Sequence, residues 1–240
     1  MQNFVAALSL STPWMPGPHG KTGDGVMAGI QYAMCRDYVR AMELPLACIE
    51  GVPQISTVLL AASSVRRHMR AAFIQNFTHF LEHDRDAAHL LDRMPAKTHR
   101  NPSSGSSAIV MNTYPIVPTP TLFFAGRGDV DAVARIFNST PAIGKKHSTG
   151  FGELAKIEVL PVKTGNPHHG IVMNRRGRNV LLRPVPARLR HLFPHQLDLR
   201  THTGTWRNPY NPEKWDATVE ECMIPPGLHR LGTFSPEDFE

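Results

Sequence analysis

Cysteine is scarce in this chain: Cys35, Cys48 and Cys222 lie far apart among 240 residues, and no CxxC pair occurs. An odd, dispersed set of thiols suggests neither a disulfide framework nor a zinc site, and it fits a reducing cytoplasm. Long hydrophobic runs are missing as well. The opening MQNFVAALSLSTPW lacks a basic start and has too short an apolar stretch for a signal or anchor. Nothing later approaches the roughly 18 apolar residues that a membrane span requires. The expectation is a soluble, cytoplasmic protein with no membrane partner. No carboxylate pair or nucleophile elbow strengthens the case for an enzyme, and no cofactor and no metal site is expected. Charged residues make up only 19% of the chain against 41% hydrophobic, the balance of a folded chain rather than a disordered one.

Proline and glycine are plentiful, at 21 and 18 residues, and imply much irregular chain. Positive charge is concentrated. The net charge is +6, yet between Arg175 and Arg207 eight arginines (175, 176, 178, 183, 188, 190, 200, 207) face one acid, Asp198, a local +7. The rest of the chain is therefore about neutral. A clustered field of this kind favours a polyanion or an acidic protein, because it steers and holds phosphates where scattered charge does not. The alternative is a solvated arginine-rich surface.

The hydrophobic pattern predicts a first strand over 4–13 and, from Gly25, a helical spacing of apolar residues at 26, 27, 30, 33, 34 and 38, with Asp24 as its N-cap. Residues 45–63 read as two short strands broken at Gly51 and Pro53. DRDAAHLLDRM reads as helix, and 95–107 as loop. Strands are predicted at 108–117, 121–126 and 152–162, with a helix over 129–138 whose Val130, Val133, Ala134 and Phe137 share one face. Asp129 or Asp131 favours the N-terminus of that helix. Two strand–helix–strand units suggest an α+β, ferredoxin-like (RRM-like) sheet. The expected organisation is a core over 1–162 with an insertion at about 64–107, followed by a basic, proline-broken C-terminal extension over 163–240 packed on the core.

Between the last helix and the last strand of the core lies PAIGKKHSTGFGEL (141–154). Gly144, Gly150 and Gly152 permit positive backbone angles and close approach to a ligand, and Lys145, Lys146, His147 and Ser148 stand beside them; the two lysines and the histidine offer donors for phosphate oxygens. A nucleotide P-loop is excluded, because there the lysine follows the glycines and a helix comes next. The order helix, glycine-rich loop, strand suits a polynucleotide backbone lying across the end of a sheet. Gly-Phe151-Gly also echoes the base-stacking strand of RNA-recognition motifs, without their second and third aromatics. The plain alternative is a glycine-rich turn with Phe151 in the core.

The succession AGRGDVDAVARIF, IGKKHSTGFGEL, then VLLRPVP (180–186) and TWRNPY (205–210) resembles the RAMP superfamily of CRISPR-associated proteins, nearest to the type IV effector subunit similar to the Cas five group. The resemblance spans about 108–225. It implies a ferredoxin-like RAMP fold and a non-catalytic subunit of a ribonucleoprotein complex that caps the 5′ handle of a guide RNA (crRNA). Neighbouring effector subunits would be its partners, with contact to target DNA left open. The shared motif carries Gly144, Lys145, Lys146, His147, Ser148, Gly150, Phe151 and Gly152. Charge alone adds Arg66, Arg67 and Arg70, whose alternative is a solvated helix face, and Arg175, Arg176 and Arg178, whose alternative is a hairpin tip. Some relatives in that superfamily cut RNA with a histidine or lysine. The candidates for such a metal-independent endoribonuclease here are His19, His68 and His147, with Lys21 as a charge stabiliser. A general basic RNA-binding scaffold is the third reading.

Overall fold

The computed structural model describes residues 1–16, 22–61, 67–73, 110–145, 150–194, 197, 200–206, 219–225 and 233–239, with backbone alone for 67–73 and 110–114. Strand β1 spans Gln2–Leu10. Helix α1 follows over Gly23–Cys35 and α2 over Tyr38–Ala41. The apolar spacing reads as one continuous helical run, but the backbone turns left-handed at Arg36 (φ 55°), whose N–H donates to the Tyr32 carbonyl. Asp37 then restarts the chain as the cap of α2, accepting from the amides of Val39 at 2.9 Å and Arg40 at 3.3 Å. Asp24 is not the cap of α1. It lies inside the first turn, 1% exposed, where burial beside Arg183 takes the place of capping.

A tight hairpin of β2 (Cys48–Ile49) and β3 (Val52–Pro53) and the short β4 (Leu59–Leu60) occupy the segment read as two strands. Residues 67–116 fold as a compact unit of their own. Its described part is an antiparallel pair, β5 (Arg67–Phe73) and β6 (Val110–Ile116), with Arg67 opposite Ile116 and Phe73 opposite Val110. The helix expected across DRDAAHLLDRM and the loop 95–107 lie outside the described residues.

The other unit comprises residues 1–66 and 117–240. Strand β7 (Thr121–Gly128), helix α3 (Val130–Asn138) and strand β8 (Leu154–Pro161) complete its main sheet, of order β4-β7-β1-β8 with every neighbouring pair antiparallel. Of the two aspartates expected to favour the start of α3, Asp129 is the cap, accepting from the Ala132 amide at 3.0 Å, and Asp131 lies in the first turn. Alternate residues of β1 serve two different cores. Phe4, Ala6 and Leu8 pack with Met27, Ile30, Phe124, Val133 and Phe137, the helix-covered side. Val5 packs with Leu59, Phe123, Ala125, Met173, Leu182, Phe234 and Phe239, which come largely from the C-terminal third. Apolar runs such as FVAAL and LFFA are therefore covered on both faces, which is why they do not alternate with polar residues.

The C-terminal third also builds a second small core, which Val52 and Ile49 of the β2–β3 hairpin join. Strands β9 (Val172–Arg175) and β10 (Arg178–Leu181) form a hairpin, and β11 (Val185–Pro186), β12 (Arg200–Gly204) and β13 (Glu220–Ile224) form a sheet of order β11-β13-β12. Ile171, Val185, Leu189, Phe193, Trp206 and Met223 are buried together there. The whole is a mixed arrangement of several sheets and helices. Among the described residues no helix is long and apolar enough to cross a membrane.

Candidate nucleic-acid interface

The 141–154 loop is clasped at its base by residues 11–15, which follow β1. Ile143 donates its N–H to the Gly152 carbonyl at 2.9 Å, so the two limbs of the loop pair with each other. Gly152 in turn donates to the Pro13 carbonyl at 3.0 Å, and Lys145 donates to the Met15 carbonyl at 2.8 Å. Thr12 Oγ1 accepts from the Glu153 amide at 2.9 Å, and the Ser11 hydroxyl donates to the Glu153 carboxylate at 3.1 Å. Trp14 and Met15 are buried beneath this clasp. Sequence reasoning missed residues 11–15 as part of the site, because a short segment following a strand carries no sign of what its backbone will pair with.

The clasp explains two of the glycines. Gly152 has φ +67°, and a Cβ there would run into the Ile143 carbonyl. Gly144 has φ +97°, with the Met15 carbonyl oxygen 2.5 Å and Trp14 Nε1 2.7 Å from where its Cβ would stand. Both approaches are to the protein's own chain rather than to an open ligand site. Gly150, by contrast, has open space around it. Lys145 is exposed, and Phe151 is half-buried and joins none of the described core clusters. Lys146, His147 and Ser148 lie outside the described residues, as do His19, Lys21 and Arg66. The side chains of Arg67, His68 and Arg70 lie outside them too; their backbones belong to β5.

The arginine cluster divides by environment. Arg183 is fully buried and is a staple: Nη1 donates to the Pro53 carbonyl at 2.6 Å and to Ile55 at 3.2 Å, while Nη2 donates to Trp206 at 2.7 Å and meets Asp24 Oδ2 at 3.5 Å. Arg188 pairs with Glu220 at 3.2 Å, and Arg190 donates to the Pro194 carbonyl at 2.7 Å. Arg175 lies over the Phe234 ring, 4.3 Å from its centroid, donates to the Thr233 carbonyl and stands 3.9 Å from Asp238. Asp24, Glu220 and Asp238 all lie outside the 175–207 window, so the local +7 counted in sequence overstates the field in space. Arg176 and Arg178, at and just after the tip of the β9–β10 hairpin, and Arg200 on β12 remain exposed.

The hairpin tip and the loop share one half of the main sheet. Phe234 donates its N–H to the Leu60 carbonyl at 2.9 Å, Leu60 stands opposite Leu122, and Leu122 opposite Leu8. Two residues further on, Leu10 pairs with Leu154, where the loop ends.

The histidines of NPHHG are covered. His169 is 5% exposed and donates its Nε2 proton to the Phe4 carbonyl at 3.0 Å; His168 is half-buried with its ring edge toward Phe193. Burial pushes both imidazoles below the ordinary value of 6.5, with the hydrogen bond to Phe4 partly opposing this at His169. A depressed histidine means that the unfolded chain takes up protons first as pH falls. Stability is thus full above about pH 6.5 and declines as the pH drops from there toward the folded-state value. Urea midpoints should fall between pH 7.5 and 5.5 in the wild type, and His169→Gln, which keeps a donor but does not titrate, should reduce that fall. An unchanged slope in the variant would show that His169 is not the sensor.

Among the described residues no group of three or more His, Cys, Asp or Glu side chains is placed to hold a metal ion. No family model matches the chain, and no curated protein matches it. The descriptors CRISPR, RAMP, crRNA, type IV, antiviral defence and ribonucleoprotein complex, which the resemblance brought with it, are corrected on that finding and do not carry over to this chain.

Proposed function

We propose that the protein binds the phosphate backbone of single-stranded RNA, without cutting it, across the end of the main sheet that carries the 141–154 loop. The carrying observation is the clasp: a glycine-rich loop fixed at both limbs, presenting exposed Lys145, on the same half of the sheet to which Phe234 ties the hairpin of Arg176 and Arg178. Cations held on ordered backbone lose less freedom on meeting phosphates than cations on a disordered tail. Phe151, half-buried within the loop, would offer its ring to a base. An α+β fold of the ferredoxin-like kind belongs to the same proposal. The order β4-β7-β1-β8, with one helix after β1 and another after β7, supports it.

The test is fluorescence anisotropy of a labelled single-stranded RNA across a salt series. Each phosphate contact on a single strand contributes a slope of about −0.7 in log K against log salt, so replacing Lys145, Arg176 and Arg178 together by alanine should flatten the slope by about 2. Circular dichroism checks that the variant is folded, and the RNA should be recovered intact. Superimposable salt curves for the two proteins would overturn the assignment.

A further inference from the structure

The opposite end of β1 carries a second site. A cleft of about 270 Å³ is lined by Met1, Asn3, Arg127, Thr164, Gly165, Asn166 and Pro167. Asn3 and Arg127 are partners in the β1–β7 register, and the 164–167 segment lines the cleft beside them. That segment is firmly fixed. Asn3 Nδ2 donates to the Thr164 carbonyl at 3.1 Å, Gln54 Nε2 to the Pro167 carbonyl at 2.7 Å, and Asn166 Nδ2 to the Val172 carbonyl at 2.6 Å. The cleft is therefore built by the fold.

Its chemistry is one-sided. Arg127 is half-buried, none of the lining residues is a carboxylate, and its guanidinium has no ion pair or hydrogen bond among the described residues. This contrasts with Arg175, Arg183, Arg188 and Arg190, which all have carboxylate or carbonyl partners. A planar fork of donors in a cleft without a counter-charge matches the oxygens of a phosphate. Beside it, Asn3 Oδ1 is a buried acceptor that receives no hydrogen bond, while the amide's other end is committed to Thr164. An acceptor next to a phosphate-binding cation suits a ligand carrying a hydroxyl near its phosphate.

The geometry points to a binding site for a phosphorylated ribose, with Arg127 taking the phosphate and Asn3 a sugar hydroxyl. The cleft holds about one such unit, and it stands apart from the loop by the length of β1, so it does not depend on the RNA-binding reading. Two sources supply this chemistry: a free sugar phosphate and the 5′-phosphorylated end of a strand.

Isothermal titration with ribose 5-phosphate, ribose, inorganic phosphate and a 5′-phosphorylated or 5′-hydroxyl trinucleotide tests the assignment. Ribose 5-phosphate should bind more tightly than inorganic phosphate, and ribose should not bind detectably. Loss of a charge-assisted pair in Arg127→Gln should weaken ribose 5-phosphate roughly tenfold or more, and Arg127→Lys less. Lys145→Ala should leave it unchanged. Binding of the trinucleotide only when phosphorylated, and more tightly than ribose 5-phosphate, would place the site at a strand end; no gain over ribose 5-phosphate would place it with free sugar phosphates. Absence of binding by every phosphate probe, or equal affinity of Arg127→Gln and wild type, would overturn the site.

Discussion

Replacing Arg183 by methionine should destabilise the protein by about 3–5 kcal/mol, the range for breaking a buried ion pair from one side. The side chain is 0% exposed and joins four segments, through Asp24, through the carbonyls of Pro53 and Ile55, and through Trp206. Methionine fills much of the volume but leaves the Asp24 carboxylate buried and removes the guanidinium's hydrogen bonds to the Pro53, Ile55 and Trp206 carbonyls. Adding Asp24→Asn should recover part of the loss, because the stranded charge is then gone; the two changes are too close to be additive. Urea unfolding followed by tryptophan fluorescence reads both effects. A single variant within about 1 kcal/mol of wild type would sink the staple role, since surface substitutions commonly cost no more.

Gly152→Val should cost about 3 kcal/mol, combining a positive φ that a β-branched residue tolerates poorly with a direct collision against the Ile143 carbonyl. The collision sits at the hydrogen bonds from Ile143 to Gly152 and from Gly152 to Pro13, so the loop should also detach from residues 11–15. RNA affinity should fall with it. Gly150→Ala is the matched comparison: φ is +85° but the space is open, so strain alone applies, about 1–2 kcal/mol. Equal stability and equal RNA affinity in the two variants would show that the clasp does not shape the loop.

Local features of the site were legible in the sequence. Asp129 was readable as one of two aspartates favouring the start of α3, because an aspartate oxygen there can satisfy free amides; it does so here, whereas Asp24 does not at α1. The strands around α3 were readable from the Leu122–Phe124 and Val159–Leu160 stretches, although β7 runs on through Gly126, Arg127 and Gly128. The stop of α1 at Arg36 was not, since no glycine or proline marks it and the left-handed turn is taken by an arginine. His169 carried no signal of burial, because a histidine beside a proline and a glycine reads as loop until a carbonyl such as that of Phe4 is found to cover it.

The amino-acid order by itself determined where the main strands and α3 lie and that a basic glycine-rich loop separates a helix from a strand, because spacing, caps and turns act over a few residues. Only the tertiary structure decided which charges remain available. Arg183, Arg188 and Arg175 meet Asp24, Glu220 and Asp238 from distant parts of the chain, while Arg127 meets no carboxylate among the described residues. The reason is physical: whether a cation is a surface or a staple depends on the distance to its counter-charge in space, which composition within a window does not contain.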